Sequence, residues 1–482
     1  MALDHAFLNA VRAALPSDAL IEDEASRRTY ECDGLTGRQA TPELVILPAN
    51  ADEVRAAVRL CHAHEVPFVA RGAGTGLSGG SLPVAEGVVI GLSRLNQILD
   101  VDLARGHVIV QPGVTNLAVT KAVSAAGWYY APDPSSQQVC TIGGNVAENS
   151  GGAHCLKHGF TVNHVLSADV VLPDGELVTL SRDDSGPDLL GLFVGSEGTL
   201  GIVVSATLRL LRVPQAVRTW LAGFESTDKA GDAVSQIISS GILPSAIEMM
   251  DALTIQAAEA AVSAGYPAGA GAVLLVEVDG SQIQVDDDSA AIEQICRACG
   301  AFEIRAADTA DERARLWKGR KSAFAAVGRI SPNYYVQDGV VPRTKLPEVL
   351  RNIAALEEEH GLRIGNVFHA GDGNLHPLVL YDAAIEGQSE LAERVAVKIL
   401  DLCIEAGGSL TGEHGVGVDK ACSMPKLFGA DDLGVMLRVR DAIDPAGIAN
   451  PGKVFPTPRL CGEVPGPYRV HPLESAGLAD RF

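Results

Sequence analysis

Two apolar runs, Val66-Pro67-Phe68-Val69-Ala70 and the strand-like stretch at 87–92, are joined by Arg71-Gly72-Ala73-Gly74-Thr75-Gly76-Leu77-Ser78-Gly79-Gly80-Ser81. Five glycines in ten residues let the backbone wrap closely around a ligand. Successive amide N–H groups in such a loop form a nest suited to a pyrophosphate. The loop is not a GxGxxG that opens a helix, because Pro83 and a strand follow it, and it lacks the GK[ST] of a P-loop. A flexible linker is improbable with strands on both sides. Upstream, Leu44-Val45-Ile46-Leu47 reads as a buried strand. A helix from residue 51 to about 64 follows, with Asn50 as cap and Glu53 at the third helical position. The order β-α-β predicts a parallel strand pair.

A second stretch carries the chemistry. Gly365-Asn366-Val367-Phe368-His369-Ala370-Gly371-Asp372-Gly373-Asn374-Leu375-His376-Pro377 sets two histidines around a tight turn. Residues 364–368 read as one strand and 378–380 as its return, so both imidazoles can share one side of a sheet. Thr411-Gly412-Glu413-His414-Gly415-Val416-Gly417 is another turn, with a carboxylate beside an imidazole. His369, His376 and Glu413 make a ligand set for a divalent metal that leaves a position open, and His414 is then left as a base. Zn²⁺ suits this set, and Mn²⁺ or Fe²⁺ would also accept it. Ordinary turn histidines are the bland alternative. Four such residues in two glycine-rich turns weigh against it.

The segments between are rich in small polar groups: Pro132-Asp133-Pro134-Ser135-Ser136, Thr141-Ile142-Gly143-Gly144-Asn145 and Asn149-Ser150-Gly151-Gly152. Gly195-Ser196-Glu197-Gly198-Thr199-Leu200-Gly201-Ile202 runs into a further strand. The formal charge of −22 argues against nucleic acid and against an anionic membrane surface. Nine scattered cysteines do not make a disulfide framework, and Cys296-Arg297-Ala298-Cys299 stands alone without a second pair at cluster spacing. The N-terminal stretch reads as an amphipathic helix with Phe7, Leu8, Val11 and Leu15 on one side, not as a signal peptide. No run is long enough to span a membrane, so a cytoplasmic protein is expected.

Residues 44–213 resemble the flavin-binding domain of the vanillyl-alcohol oxidase superfamily. The GDGNLHP and TGEHG motifs resemble its FAD-linked D-2-hydroxyacid dehydrogenase branch, which includes D-lactate and D-2-hydroxyglutarate dehydrogenases and the D subunit of bacterial glycolate oxidase. The resemblance implies an α+β chain: a two-part FAD-binding domain of the vanillyl-alcohol oxidase type plus an α+β substrate cap domain with an antiparallel sheet. Its helices are expected on one face. The expected bounds are 1–213 for the FAD-binding domain, 214–424 for the cap with its metal site, 425–456 for a segment returning to the FAD domain, and 457–482 for a tail. By the same resemblance Arg71, Gly72, Ala73, Gly74, Thr75, Gly76, Ser78, Gly79, Gly80 and Ser81 cradle the FAD pyrophosphate. Pro132, Asp133, Ser135, Thr141, Gly144, Asn145, Ser150 and Gly151 line the isoalloxazine and ribityl chain. Glu197, Gly198 and Ile202 lie at the adenosine end, and Asn450 falls in the returning segment. The loop offers no His or Cys for covalent attachment, so the flavin is expected to be non-covalent.

The resemblance also makes Arg320, in Leu316-Trp317-Lys318-Gly319-Arg320-Lys321, the group that binds a substrate carboxylate, with Lys321 exposed. Tyr334 and Tyr335 are pocket or core. His414 is the expected general base. Relatives that take 2-hydroxyglutarate carry polar groups where this chain has Leu378, Phe324 and Val336, so a second carboxylate would go unpaired. Oxidation of a small D-2-hydroxyacid, glycolate or D-lactate, is therefore expected, with electrons passed to partner subunits or a carrier rather than to oxygen. A dicarboxylate dehydrogenase and a transferase like alkyl-dihydroxyacetonephosphate synthase are the alternatives.

Overall fold

The structure is a computed structural model that describes residues 3–456, so the expected tail at 457–482 lies outside the described residues. The described residues form two units: 3–151, 160–212 and 413–456 make the first, and 152–159 with 213–412 make the second.

In the first unit, Leu44–Ile46 and Phe68–Arg71 pair in parallel with Val88–Gly91 between them, and Leu20–Ile21 adds an antiparallel edge. The parallel strands carry almost unbroken apolar runs, as strands covered on both faces do. The connecting helix, Ala51–Ala63, starts where the sequence predicts, with the Asn50 side chain accepting from the Glu53 N–H at 2.9 Å. It buries Val54, Ala57, Val58 and Cys61, the i, i+3, i+4, i+7 stripe. A second sheet is antiparallel, in the order Ile98–Asp102, His107–Val110, Ile202–Arg209, Val165–Val171, Leu177–Ser181. The N-terminal helix, His5–Ala14, buries Phe7 and Val11 in the same core as the parallel strands.

The second unit is built on a nine-stranded sheet whose main path runs Glu303–Ala306, Ala216–Phe224, Ala272–Gly280, Ala246–Asp251, Ile364–His369, Asn374–Leu375, Gly339–Val340. Asn333–Val336 and Pro377–Tyr381 pair beside Ile364–His369. All pairings are antiparallel, as expected. The helices are not confined to one face. Thr227–Ser239, Gln282–Ala298, Leu346–His360 and Gln388–Glu405 pack on one side with Ala222, Met249, Leu274 and Phe368. Ala252–Val262 and Ala310–Val327 pack on the other with Leu221, Met250, Leu275 and Val367. The reason is in the strands: residues 272–279 are buried at every position, not at alternate ones, so both faces need cover.

Two boundaries differ from the expected ones. Residues 152–159 leave the first unit and join the second, where Lys157 pairs with Asp279 and the His154 ring meets Glu277 at 3.2 Å. The second unit also ends at Gly412, not at 424. The cause is hydrogen bonding. Glu197 accepts from the Val416 and Gly417 N–H groups at 2.6 and 2.7 Å, and the Ser78 carbonyl accepts from Val418 and Asp419, which ties this turn into the first unit.

Asn450 closes that unit. Its amide donates to the carbonyls of Gly80 and Glu197 at 2.8 and 2.6 Å, and its own backbone is left-handed, with φ +43°. Asn450→Ala leaves two buried carbonyls unpaired and puts alanine where it is strained. A loss of about 2–4 kcal/mol is expected, read as a lower midpoint in denaturant with an unchanged slope. A midpoint within error of the parent would show that the amide ties nothing together.

Candidate active site

The second unit holds the hairpin histidines. Ile364 pairs with Val379 and His369 with Asn374, one register throughout, with Ala370, Gly371, Asp372 and Gly373 as the turn. In this register His376 falls opposite Val367, two residues before His369. The period of two then places both imidazoles on one face. Their ring centroids are 5.2 Å apart, edge to face. Gly373 is left-handed, φ +74°, and its turn is closed against the Val341 carbonyl, where a side chain has no room.

On the neighbouring strand Glu248 is the direct cross-strand partner of His369. Directly opposed residues point the same way, so its carboxylate joins this face. His369 Nδ1 donates to Glu248 Oε1 at 2.7 Å. The carboxylate only accepts, so the proton belongs on Nδ1 and the lone pair of His369 falls on Nε2. Glu248 Oε2 lies 2.6 Å from Arg320 Nη2, an ion pair off the hydrogen-bonding direction, and the Arg320 Nε has no hydrogen-bond partner among the described residues.

Arg320 reaches this point because helix Ala310–Val327 lies over the face. Its residues meet successive polar groups of the sheet at helical spacing. Trp317 Nε1 donates to Glu277 at 2.7 Å, Arg320 meets Glu248, and the Phe324 ring lies 5.9 Å from the His376 ring. Gly319 permits the approach: a Cβ there would lie 2.6 Å from the Ala264 Cβ, and Tyr266 donates to the Leu316 carbonyl at 2.7 Å. Lys321 is exposed, as expected.

Beyond His376 the face turns apolar. Leu378 pairs with Val336 across the strands, and both belong with Phe324 and Tyr334 to one cluster. The two tyrosines separate, with Tyr335 packed against the core of the opposite face. Asp338, fully buried, accepts from the Thr411 hydroxyl at 2.7 Å and the Gly412 N–H at 3.0 Å, and its other oxygen is 3.4 Å from His376 Nε2.

In the first unit the glycine loop is a turn between two strands with no helix after it, as expected. Gly74 and Gly79 are left-handed, φ +68° and +77°. Arg71 is buried and burial lowers its pKa, yet its Nη1 has no hydrogen-bond partner among the described residues; neither has the buried Ser78 hydroxyl. An orphaned guanidinium N–H and hydroxyl in a glycine-lined loop fit an anionic cofactor. Thr141 caps helix Ile142–Glu148. The Asn145 amide is used within the protein, accepting from Asn116 at 3.0 Å and donating to Ser150 at 3.2 Å, while Asn116 also donates to the Pro132 carbonyl. A Cβ on Gly151 would lie 2.7 Å from Glu413 Oε2. Glu197 and Asn450 spend their side chains on backbone groups, and Ile202 is a core residue. His414 Nε2 is 3.8 Å from the Glu413 carboxylate.

Residues 42–181 match the family described as FAD binding domain, and residues 213–454 match the one described as FAD linked oxidases, C-terminal domain. The chain belongs to the FAD-linked oxidases. Among relatives of this oxidase family, the glycolate oxidase subunit GlcD of Escherichia coli K12 is 49% identical over 96% of this chain and 93% of its own. GlcD of Bacillus subtilis is 39% identical over 90% and 93%, and a D-lactate dehydrogenase of Anaerostipes hadrus 33% over 91% and 95%. In fold, a 4-ethylphenol oxidase of Gulosibacter chungangensis superposes at TM-score 0.78 with 20% identity over 94% of this chain and 98% of its own. An alkyldihydroxyacetonephosphate synthase reaches 0.73 with 21% identity over 93% and 85%. These bear out the vanillyl-alcohol oxidase architecture and a flavoprotein oxidoreductase that binds FAD. No helix among the described residues of this FAD-linked oxidase is long and apolar enough to cross a membrane.

Glu248, Asp338 and Glu148 escaped the sequence reading. Only a strand register brings Glu248 to His369, and nothing local signals it. Glu148 ends the capped helix and reaches the glycine loop and the 413–417 turn, where Cβ atoms on Gly80 and Gly415 would strike its carboxylate. Burial raises its pKa well above the usual carboxylate range, and the Glu197 carboxylate raises it further. A carboxyl protonated in the native state and ionised when unfolded contributes stability below the unfolded value near 4.5, and that contribution is lost as pH rises toward the folded value. Glu148→Gln mimics the protonated acid. Relative to the parent, the variant is expected to gain thermal stability as pH rises from about 4.5 toward the folded value. Parallel melting curves across that range would contradict a neutral Glu148.

Proposed function

We propose that this FAD-linked oxidase oxidises a small D-2-hydroxyacid with a single carboxylate, glycolate or D-lactate, to the 2-oxoacid. The observation that carries the reading is the sheet face of the second unit: a buried guanidinium with unused donors and a pair of imidazoles stand beside an apolar wall of Phe324, Val336 and Leu378. Arg320 binds the carboxylate through two parallel hydrogen bonds. The wall accepts a hydrogen or a methyl at the far end of the substrate, whereas a second carboxylate there would be desolvated without a partner. The names of the relatives, glycolate oxidase subunit and D-lactate dehydrogenase, support the same class.

His369, His376 and Glu413 are the proposed holders of a divalent cation, zinc by preference, with manganese or iron as alternatives of like donor demand. His369 fits, because its contact with Glu248 places the proton on Nδ1 and the ligating lone pair on Nε2. A bound cation would polarise the substrate hydroxyl and lower its pKa. Bound FAD supplies the acceptor for the hydride from C2. Within the chain, His414 receives the hydroxyl proton as general base. Arg71, Ser78 and the glycine amides hold the pyrophosphate, with Thr141, Gly144, Ser150 and Gly151 lining the flavin. The loop carries no His or Cys for covalent attachment, so the flavin is held without a covalent bond. Electrons leave to partner subunits or a carrier rather than to oxygen, in keeping with relatives named as a subunit.

The test is a substrate panel on the FAD-loaded enzyme before and after exhaustive chelation. Flavin reduction by glycolate or D-lactate should exceed that by D-2-hydroxyglutarate at least tenfold and should vanish on metal removal. Preference for the dicarboxylate, or full activity in a metal-free enzyme, overturns the reading. His414→Ala should lower the reduction rate by a factor of about 10²–10⁴ with FAD still bound. Near-parental reduction would remove His414 from the mechanism.

A further inference from the structure

We propose that Glu248 is a positioning residue that couples cation binding to substrate-anion binding, one carboxylate oxygen serving each. The inference rests on the function proposed above and adds to it a residue that touches neither substrate nor cation. Glu248 is 1% exposed and sits in the middle of the sheet. A buried carboxylate is retained only where its charge is compensated and its oxygens are occupied. Here Oε1 takes the His369 Nδ1–H at 2.7 Å, and Oε2 faces Arg320 Nη2 at 2.6 Å. The first contact selects the tautomer in which Nε2 keeps its lone pair. The second fixes the guanidinium by charge. Because it is off the hydrogen-bonding direction, Nε and Nη2 keep their donor capacity for an incoming carboxylate.

The register makes both contacts come from one residue. Glu248 is the cross-strand partner of His369 on one side and of Leu275 on the other, so its side chain stands beneath helix Ala310–Val327, at the turn that carries Arg320. A carboxylate has two acceptors, whereas an isosteric amide has one acceptor and one donor group. Glutamine at this position can therefore satisfy His369 or Arg320, but not both. The buried cation makes the stronger demand, so the amide oxygen turns to Arg320 and its NH₂ faces His369. That reverses the imidazole tautomer and places the proton on the nitrogen needed for the cation.

The experiment measures Zn²⁺ affinity by chelator competition on FAD-loaded parent, His369→Ala, Glu248→Gln and Glu248→Asp, with far-UV circular dichroism and FAD content as controls for folding. Glu248→Gln should weaken Zn²⁺ binding by about 10- to 100-fold while FAD content holds. Glu248→Asp keeps the charge but retracts it by one methylene, and should fall between the two. Should Glu248→Gln fail to fold, the parent itself gives the answer. Its ¹⁵N-histidine spectrum, assigned by the signal lost in His369→Ala, should show His369 protonated on Nδ1. An Nε2-protonated His369, or a folded Glu248→Gln or Glu248→Asp that binds Zn²⁺ like the parent while His369→Ala does not, overturns the role of Glu248. Equal Zn²⁺ affinity in parent and His369→Ala instead overturns the metal reading on which it rests.

Discussion

A charge placed between a sheet and a helix must find its counter-charge within the layer, because water is not there to supply one. Uncompensated, such a group costs several kcal/mol or changes its protonation state. This constraint organises the candidate site of the second unit. Glu248 lies between His369 and Arg320, and Glu277 accepts from Thr219 and Trp317 and meets His154. The polar groups are not scattered among the apolar ones. They follow the crossing of one helix over successive strands, with Trp317, Arg320 and Phe324 spaced three and four residues apart so that each meets the next position. A shift of one residue in the strand carrying Glu248 would turn its carboxylate into the opposite core and bring Met249 under the arginine. The register is thus held by the cost of breaking the pairs as well as by hydrophobic burial.

The first unit meets the same constraint differently. Its loop needs glycine for close approach, and glycine loops are flexible unless tied. The ties here are side chains aimed at backbone. Glu197 takes two amides of the 413–417 turn, Asn450 donates to the Gly80 and Glu197 carbonyls, and Asp33 accepts from the Ser81 N–H at 3.3 Å. Lys453, whose pKa burial lowers to about 8 although Asp33 and Glu197 push it back up, donates to the Leu82 carbonyl at 2.9 Å. Residues named for a ligand by resemblance, Glu197 and Asn450 among them, are engaged in holding the loop in shape.

What could be read from the sequence follows the range of the interaction involved. The hairpin around His369 and His376 is encoded in thirteen consecutive residues, and so its face was predictable. The glycine loop, the Asn50 cap and the helix bearing Arg320 are equally local. Glu248 is 121 residues from His369, and its partnership depends on which strands pair and in what register. The excursion of 152–159 and the boundary at Gly412 depend on hydrogen bonds and ion pairs between segments far apart in the chain. The expected one-sided cover failed for a related reason. A continuous apolar run does not show the alternation that distinguishes an inside from an outside, and residues 272–276 are such a run.

The placement of the candidate groups is consistent with the precision that the proposed tasks would need. Misplacement by about an ångström at a reacting centre costs orders of magnitude in rate, so groups that orient substrate belong on elements whose own positions are over-determined. His369 ends a central strand, His376 returns beside it, and Arg320 lies mid-helix where Gly319 brings the backbone close. Glu413 and His414 are the exception, since they occupy a turn. A turn is mobile only while its backbone groups are free to exchange partners with water. Here the Val416 and Gly417 N–H groups that follow the pair are held by Glu197. With the backbone held there, Glu413 and His414 gain some of the definition that a strand would give. The small residues around them, Gly412, Gly415 and Gly417, let the chain take the necessary conformations, left-handed at the last two.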